Sequence, residues 1–366
     1  MIKILHTGDI HLDSAFSRLD SRHAEIRRNE LRAAFTSMMA YAKLCGADLM
    51  LISGDLTDSQ LVTRESAAML CREFTTFGKP VFIAPGNHDP ATQKSIWLRD
   101  SLPENVHVFT KPEVEAFDLD ELNLTVYGFG FDSPDLEVSP LKNVTVEDRS
   151  RVNLLVCHCD MRSAVSTDCP VTEDELLAFG ADYAALGHVH NPAEYTGNRW
   201  CYCGCLEPRG FDECGIKGAC VVEIDKKGEE SDVNVRRVRF AKRRYEKGEL
   251  ALDTPRTQSD VREAVDNYIR EMKYGEDTLL SLTLTGTVSS GLVIDTEALS
   301  DNPSPLFLLD ITDRTVPDAD PAVLERDITV RGEVYRKLKP LLESSDERNR
   351  EVGLRALRYA LAALEE

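Results

Sequence analysis

The chain has 366 residues, of which 42% are hydrophobic and 29% are charged, and its formal net charge is −20. This length exceeds one average domain and is enough to bury a large core without disulfide staples. The acidic balance argues against a broadly basic nucleic-acid-binding coat, although bound metal ions would add local positive charge.

The beginning of the chain has too short an apolar run for a signal peptide, and no stretch of about 18 apolar residues occurs. We therefore expect a cytoplasmic protein with no membrane partner. In that compartment the ten cysteines would mostly be reduced thiols.

Five short apolar runs in the first part of the chain are each followed, within a few residues, by Asp, Asn or His. The runs cover residues 2–5, 49–52, 81–84, 154–157 and 183–186. Helices are predicted between them, over residues 23–45, where apolar side chains share one face, and over residues 62–77. This alternation predicts an α/β fold. Functional groups gather at the strand ends of open sheets because the loops converge there.

The next segments are predicted to be richer in strands. Residues 106–131 are expected to form strands, residues 132–150 an exposed loop, and residues 199–205, 219–224 and 233–240 further strands. Cys201, Cys203 and Cys205 alternate and would share one strand face. Zinc binding is the competing interpretation, but tetrahedral zinc sites usually combine two separated ligand pairs, so structural thiols are favoured.

A domain boundary is predicted where charge, Gly and Pro cluster, and we divide the chain into residues 1–248 and 249–366. The second part is predicted to be α+β, with a helix over 259–273, about three strands within 278–311, and closing helices. The last helix would begin in a capping box at 344–347. Its leucines recur at three- and four-residue steps and either pack within their own domain or dock a partner. They are Leu354, Leu357, Leu361 and Leu364.

The strand-end residues form a potential metal-binding set. The predicted ligands of a first ion are Asp9, His11 and His190, and those of a second ion are Asn87, His158 and His188. Asp55 could bridge the two ions because a carboxylate has two oxygens. This mixture of N and O ligands suits Mn²⁺, Fe or Zn²⁺. Two such ions could clamp the attacking and leaving oxygens of a phosphoryl displacement.

Each of these residues also has an ordinary structural interpretation. A single buried histidine is usually hydrogen-bonded in a core, and Asp9 and Asp55 could be helix N-caps. However, five of the eight histidines lie in the strand-end motifs. That concentration favours a shared site.

The motifs D-x-H, G-D-x-x-D, G-N-H-D, a separate strand-end His and G-H-x-H, over residues 8–190, resemble those of the calcineurin-like metallophosphoesterase superfamily. The resemblance implies a four-layer α/β/β/α sandwich with the site at the strand ends. It implies the seven residues above as metal ligands. It also implies that His88 is the catalytic acid and that Asp89 steadies it.

Within that superfamily the chain is most similar to bacterial DNA repair exonucleases of the SbcD type, in particular their YhaO-like branch. Residues 5–13, residues 204–213 and a basic strand near 236–244 carry this similarity. It implies two divalent ions, with Mn²⁺ as the first choice, and a smaller C-terminal α+β capping domain. It also implies DNA and an SbcC-like coiled-coil ATPase as partners, and a homodimer is possible.

The chain departs from the SbcD-type pattern at Asp58, where the archetypal nucleases carry a second His that is tied to nuclease chemistry. Replacing Asp58 by His is therefore expected to raise exonuclease activity. Asp58 could line the substrate site. Arg209 could contact a substrate phosphate, or it could pair only with Asp212 or Glu213. Ser59 stands where the Ser/Thr phosphatase branch has Arg, which argues against a protein phosphatase.

The leading functional hypothesis is a metal-dependent DNA phosphodiesterase in which metal-activated hydroxide attacks phosphorus and His88 assists departure. The basic run could hold the DNA backbone or be a solvated strand face. It consists of Arg236, Arg237, Arg239, Lys242, Arg243 and Arg244. One alternative is a phosphodiesterase for small substrates such as cyclic nucleotides. Another is a catalytically weak DNA-binding subunit of an ATPase complex, favoured if Asp58 impairs catalysis.

Overall fold

The computed structural model describes residues 1–59, 62–191, 199–301 and 305–364. The chain divides into two compact units, Met1–Lys242 and Arg243–Glu366. The predicted division after residue 248 falls inside the strand Arg244–Asp253, which pairs along its whole length with Thr278–Val288. The boundary therefore precedes this strand.

The first unit contains two mixed β-sheets and the helices that cover them. Its strands are β1 (Ile2–Thr7), β2 (Leu49–Ile52), β3 (Val81–Ile83), β4 (Val106–Val108), β5 (Glu115–Leu119), β6 (Leu124–Gly128), β7 (Val152–His158), β8 (Tyr183–Gly187), β9 (Trp200–Tyr202), β10 (Gly218–Lys227) and β11 (Glu230–Arg239). Its α-helices are α1 (Ser21–Leu44), α2 (Arg64–Phe77), α3 (Ile96–Arg99) and α4 (Glu173–Phe179). The strand orders are β11-β10-β1-β2-β3-β4 and β5-β6-β7-β8-β9.

The parallel strands are apolar on both faces, as strands buried on both sides must be. Alternate residues of β1 and β2, such as Ile4 and Leu51, pack against Val126 and Leu154 of the other sheet. The intervening residues of β1 and β2 pack instead against α1 and α2. On the far face of the five-stranded sheet, the core includes Phe179 of α4. The predicted four-layer α/β/β/α sandwich is confirmed.

Strand register brings the functional loops to one edge of each sheet. Thr7 at the end of β1 pairs with Ile52 at the end of β2, and Ile52 pairs with Ile83 at the end of β3. In the second sheet, His158 at the end of β7 pairs with Gly187 at the end of β8. Every sequence motif therefore begins where a parallel strand ends.

The segment after β6 differs in part from the prediction. Residues 132–150 are irregular, as expected, but they are not wholly exposed, because Leu141 and Val146 are buried in the core beside α4. The sequence pattern did not predict α4 itself. This short helix begins in a capping box, in which the Thr172 hydroxyl accepts the Glu175 N–H and the Glu175 carboxylate accepts the Thr172 N–H.

The second unit is a parallel sheet with five helices among its described residues. Its strands are β12 (Arg244–Asp253), β13 (Thr278–Val288), β14 (Leu308–Asp313) and β15 (Val316–Pro317), all parallel where they pair. The helices are α5 (Gln258–Glu271), α6 (Thr296–Ser300), α7 (Pro321–Arg326), α8 (Val330–Leu342) and α9 (Glu347–Ala363). Helix α5 packs Val261, Val265 and Ile269 on β13. Among the described helices of both units, none is long and apolar enough to cross a membrane.

The last helix packs its leucines inside its own unit. Leu357 and Leu361 are 5% and 0% exposed and cluster with Leu324 and Tyr335. Leu364, at the end of the helix, is 42% exposed. The first of the two interpretations is therefore confirmed for Leu357 and Leu361, which are not available to a partner.

We expect Leu361→Asp to destabilise the second unit by about 3–5 kcal/mol, because it removes a core side chain and buries a charge. Urea unfolding of the full chain, followed by circular dichroism, measures this effect. Leu364→Asp is the matched control and should change stability by less than about 0.5 kcal/mol, as surface substitutions do. Equal unfolding midpoints for the two variants would contradict the packing described for α9.

Candidate metal centre

Side chains from five strand ends converge into three groups whose potential ligand atoms lie within 4.8 Å of one another. The groups are Asp9 with His11 and His190, Asp9 with Asp55 and His158, and His11 with Asp58 and His88. Five of the seven predicted ligands therefore meet in these groups. Asn87 adjoins them, because its Oδ1 lies 3.0 Å from Nε2 of His158.

The Asp55 carboxylate lies between the two predicted ligand sets. Its Oδ2 is 3.6 Å from Nε2 of His11 and 3.5 Å from Nε2 of His158. On the first side, Nε2 of His190 is 3.3 Å from Nε2 of His11 and 3.6 Å from Oδ1 of Asp9. This geometry fits a cation on each side of Asp55, which supports its predicted bridging role.

Glycines before the ligands permit this close approach. A Cβ atom on Gly86 would lie 2.3 Å from Oδ1 of Asp55, and one on Gly54 would lie 2.5 Å from Nδ1 of His158. Asp55 has a φ of 49° and Asp9 a φ of 47°, both in the left-handed region. Such conformations cost about 1–3 kcal/mol each and persist where the surroundings enforce them. The G-D motifs are therefore required by the backbone as well as by the ligands.

Burial prepares these groups for a cation. Asp9, His11 and His158 are 0% exposed, and Asp55 is 2% exposed. Burial raises the pKa of Asp9 and lowers the pKa of His11 well below its ordinary value, with Arg209 adding to the second effect. The lowered pKa favours the neutral imidazole of His11, which is the form that binds metals.

His188 lies beside His158, with their ring centroids 5.3 Å apart. Its Nε2 lies 3.0 Å from Nη2 of Arg162 and 3.7 Å from Oδ2 of Asp160, outside the three ligand groups. Burial lowers its pKa to about 4. Its backbone N–H donates to Oδ1 of Asp9 at 2.9 Å, so His188 contacts a ligand through its main chain. Its role as a ligand of the second ion stays a prediction.

His88 is exposed and lies above the buried ligands. Its backbone N–H donates to Oδ1 of Asp55 at 3.0 Å, and its ring centroid is 4.8 Å from that of His11. With Asn87, Lys94 and other residues it lines a cleft of about 590 Å³. The imidazole can therefore meet a substrate in the cleft while its backbone is fixed to the central carboxylate.

The Asp89 carboxylate fastens two loops of the site together. This buried carboxylate accepts backbone N–H groups at 2.8–3.2 Å from Gly86, Asp55, Leu56 and Thr57. These bonds fasten the G-N-H-D loop to the loop that carries Asp55. These contacts fit the prediction that Asp89 steadies the loop that carries His88, and its part in catalysis stays a prediction.

Arg209 pairs with carboxylates of the chain. Its Nη2 is 3.0 Å from Oε1 of Glu213, and its Nη1 is 3.1 Å from Oδ1 of Asp58. The predicted alternative of ion pairing is therefore observed, with Glu213 rather than Asp212 as one partner. Glu213 also accepts from Nδ1 of His190 at 2.7 Å. The sequence predicted Glu213 as a partner of Arg209 but did not predict its contact with His190.

Residues 2–192 match the sequence model of the calcineurin-like phosphoesterase family. The chain belongs to this family. The chain is also 25% identical over 306 residues to an uncharacterised metallophosphoesterase, YhaO, of Bacillus subtilis, and the match covers 80% of this chain and 74% of the relative. The predicted superfamily and its SbcD and YhaO-like branch are confirmed, and the chain is a metal-dependent phosphoester hydrolase.

The present chain has two further relatives whose names refer to a nuclease or to DNA repair. The DNA double-strand break repair protein Mre11 of Aeropyrum pernix is 28% identical over 244 residues, or 60% of this chain and 57% of the relative. One of the subunits of the nuclease SbcCD of Staphylococcus epidermidis is 23% identical over 261 residues, or 61% of this chain and 66% of the relative. The chain thus aligns with less than two thirds of either protein.

Among the described residues of the metallophosphoesterase domain, the cysteines join no group of potential metal ligands. Cys201 and Cys203 are buried in the core between the sheets. Burial raises the pKa values of Cys203 and Cys205 well above the ordinary thiol value. Zinc binds thiolates, which these surroundings disfavour. No cysteine joins a ligand group in the described part of the chain, so the interpretation as structural thiols stands.

The predicted basic run is divided between the two units. Arg236 and Arg239 lie on β11, where Arg236 donates to the Tyr41 hydroxyl at 2.9 Å and Arg239 to the Ala241 carbonyl at 3.1 Å. Lys242 pairs with Glu30 at 3.2 Å. The last two cations of the run, Arg243 and Arg244, belong to the second unit. Arg236 and Arg239 stay exposed on β11, so both interpretations of the run, a DNA contact and a solvated strand face, stay predictions.

We expect Asp55→Asn to reduce metal content at one or both sites, because it removes the negative charge that lies between the two predicted ligand sets. Metal analysis after equilibration with Mn²⁺ and gel filtration measures the change. Asp182→Asn is the matched control, since Asp182 is a buried carboxylate that pairs with Lys226 at 2.7 Å. Retention of two ions by Asp55→Asn would contradict the bridging assignment.

Proposed function

We propose that the chain is a DNA phosphodiesterase, an exonuclease subunit that holds two divalent ions, with Mn²⁺ as the first choice. The observation that carries the proposal is the placement of Asp55 between two sets of N and O ligands, below a cleft that exposes His88. When bound there, the ions would polarise the phosphoester and activate water. Seven residues would hold them: Asp9, His11, Asp55, Asn87, His158, His188 and His190.

The cleft would need bound cations to accept an anionic substrate, because three carboxylates, Asp58, Asp135 and Asp168, share its lining. Lys94 and His88 line the cleft together and can face a phosphate. His88 would give its proton to the leaving oxygen, and its fixed backbone keeps the ring near the ligands. Asp89 would act through the loops by holding Asp55 in its left-handed conformation.

The names of the relatives favour DNA over a small substrate. One of them is a DNA double-strand break repair protein named Mre11, and one belongs to the nuclease SbcCD. A cyclic-nucleotide phosphodiesterase would use the same ligands. The second candidate is a catalytically weak DNA-binding subunit, and Asp58 favours it, because this residue replaces a His tied to nuclease chemistry.

A partner ATPase is part of the proposed function, with an SbcC-like coiled coil as the expected type. The second unit, in the role of capping and docking domain, offers exposed apolar side chains near α7 and α8. Val323, Ile328 and Val330 are 63%, 97% and 63% exposed. These residues are a better contact than the buried leucines of α9. We further propose a cytoplasmic location, with a homodimer as a possible assembly.

Turnover of linear DNA, a cyclic nucleotide and a generic aryl phosphodiester with Mn²⁺ distinguishes the three functions. We expect linear DNA to be hydrolysed fastest. Preference for the cyclic nucleotide would support the small-substrate function. DNA binding without hydrolysis of any of the three substrates would support the non-hydrolytic subunit.

We expect His88→Ala to retain both ions and to lower turnover by roughly 10²–10⁴-fold, the usual contribution of a general acid. Metal analysis and steady-state kinetics test the two parts separately. His23→Ala is the control, because His23 lies at the start of α1, beside the N-cap Asp20. Loss of metal from His88→Ala would show that His88 is a ligand rather than an acid.

A further inference from the structure

Two imidazoles of the first ligand group each have a carboxylate behind them. Nδ1 of His190 is 2.7 Å from Oε1 of Glu213. Nδ1 of His11 is 3.1 Å from Oδ1 of Asp58, and this buried nitrogen has no aligned hydrogen-bond partner among the described residues. In both rings the other nitrogen, Nε2, faces the ligand group, since the two Nε2 atoms are 3.3 Å apart.

One guanidinium group joins these two carboxylates. Arg209 donates from Nη1 to Oδ1 of Asp58 at 3.1 Å and from Nη2 to Oε1 of Glu213 at 3.0 Å. Its Nε donates to the same Glu213 oxygen at 3.3 Å, and its backbone N–H donates to Oε2 at 2.6 Å. The side chains of Arg209 and Glu213 are only 18% and 5% exposed. The network thus runs from one imidazole to the other through Arg209.

We propose that Arg209 is a positioning residue that holds Asp58 and Glu213 as the carboxylates behind His11 and His190. The inference rests on the proposed metal centre. A carboxylate at the outer nitrogen of a ligating histidine fixes its tautomer and orientation and increases its basicity. Arg209 fits this role because its planar fork binds two carboxylates at once, which a lysine cannot reproduce.

This assignment changes the roles predicted from the sequence. All three guanidinium nitrogens of Arg209 already contact carboxylates of the chain. Asp58 faces His11 and Arg209 as well as the cleft. Asp58→His would place an imidazole beside the guanidinium group of Arg209 and leave its Nη1 without a carboxylate partner. We therefore expect this substitution to weaken metal binding rather than to raise exonuclease activity.

Titration of metal-free protein with Mn²⁺ by calorimetry tests the proposal without reference to turnover. Arg209→Met should weaken binding of one of the two ions by about 10–100-fold, as loss of a group behind a metal ligand does. Arg209→Lys should restore little of this loss. Glu213→Gln should also weaken binding, and the double variant Arg209→Met/Glu213→Gln should lose less than the sum of the two single variants.

Arg18→Met is the matched control, because exposed Arg18 lines the same small cavity as Arg209 and should leave Mn²⁺ affinity unchanged. Asp58→Asn keeps the contact between Arg209 and Glu213, so it tests the network if Arg209→Met does not fold. Wild-type Mn²⁺ affinity in folded Arg209→Met, with a raised KM, would overturn the proposal and make Arg209 a substrate contact. Absence of Mn²⁺ binding by the wild-type chain would instead overturn the metal centre itself.

Discussion

The structure of the first unit depends on holding two buried carboxylates, Asp9 and Asp55, beside buried imidazoles. Removing an ionised carboxylate from water costs several kcal/mol unless an opposite charge or several hydrogen bonds offset it. Burial raises the pKa of Asp9, because it disfavours the charged carboxylate. A divalent cation held by these residues would stabilise that charge. The donor atoms, rather than the cleft above them, thus define what this fold can do chemically.

The side chains that would bind metal are held in place from two sides. Asp89 fastens two loops through four backbone N–H groups on one side, and Arg209 joins the carboxylates behind two histidines on the other. Parallel strands packed on both faces hold the loops at fixed register. A site of this kind can keep like charges close because relaxation would break contacts in the core as well as in the loops.

Most of the fold and the ligand types could be predicted because their signals are local. A strand buried on both faces is a short apolar run, and a ligand that must approach closely is preceded by Gly, as at Gly54 and Gly86. The contacts of Asp89 could not be predicted in this way, because three of its four donors lie on another loop. The partners of Arg209 and His188 are likewise settled by tertiary contacts. Leucine spacing in α9 showed an apolar face but not what covers it.

Charge gives the proposed function its last constraint. With a net charge of −20, the chain repels DNA at long range. Two divalent ions would add four positive charges at one point, where they act on the phosphate to be cleaved rather than along a duplex. Arg236, Arg239 and Lys242 are exposed, and each contacts a neighbouring group of the first unit. A chain of this charge therefore fits the proposed complex, in which a partner would hold the duplex and this metallophosphoesterase would cut it.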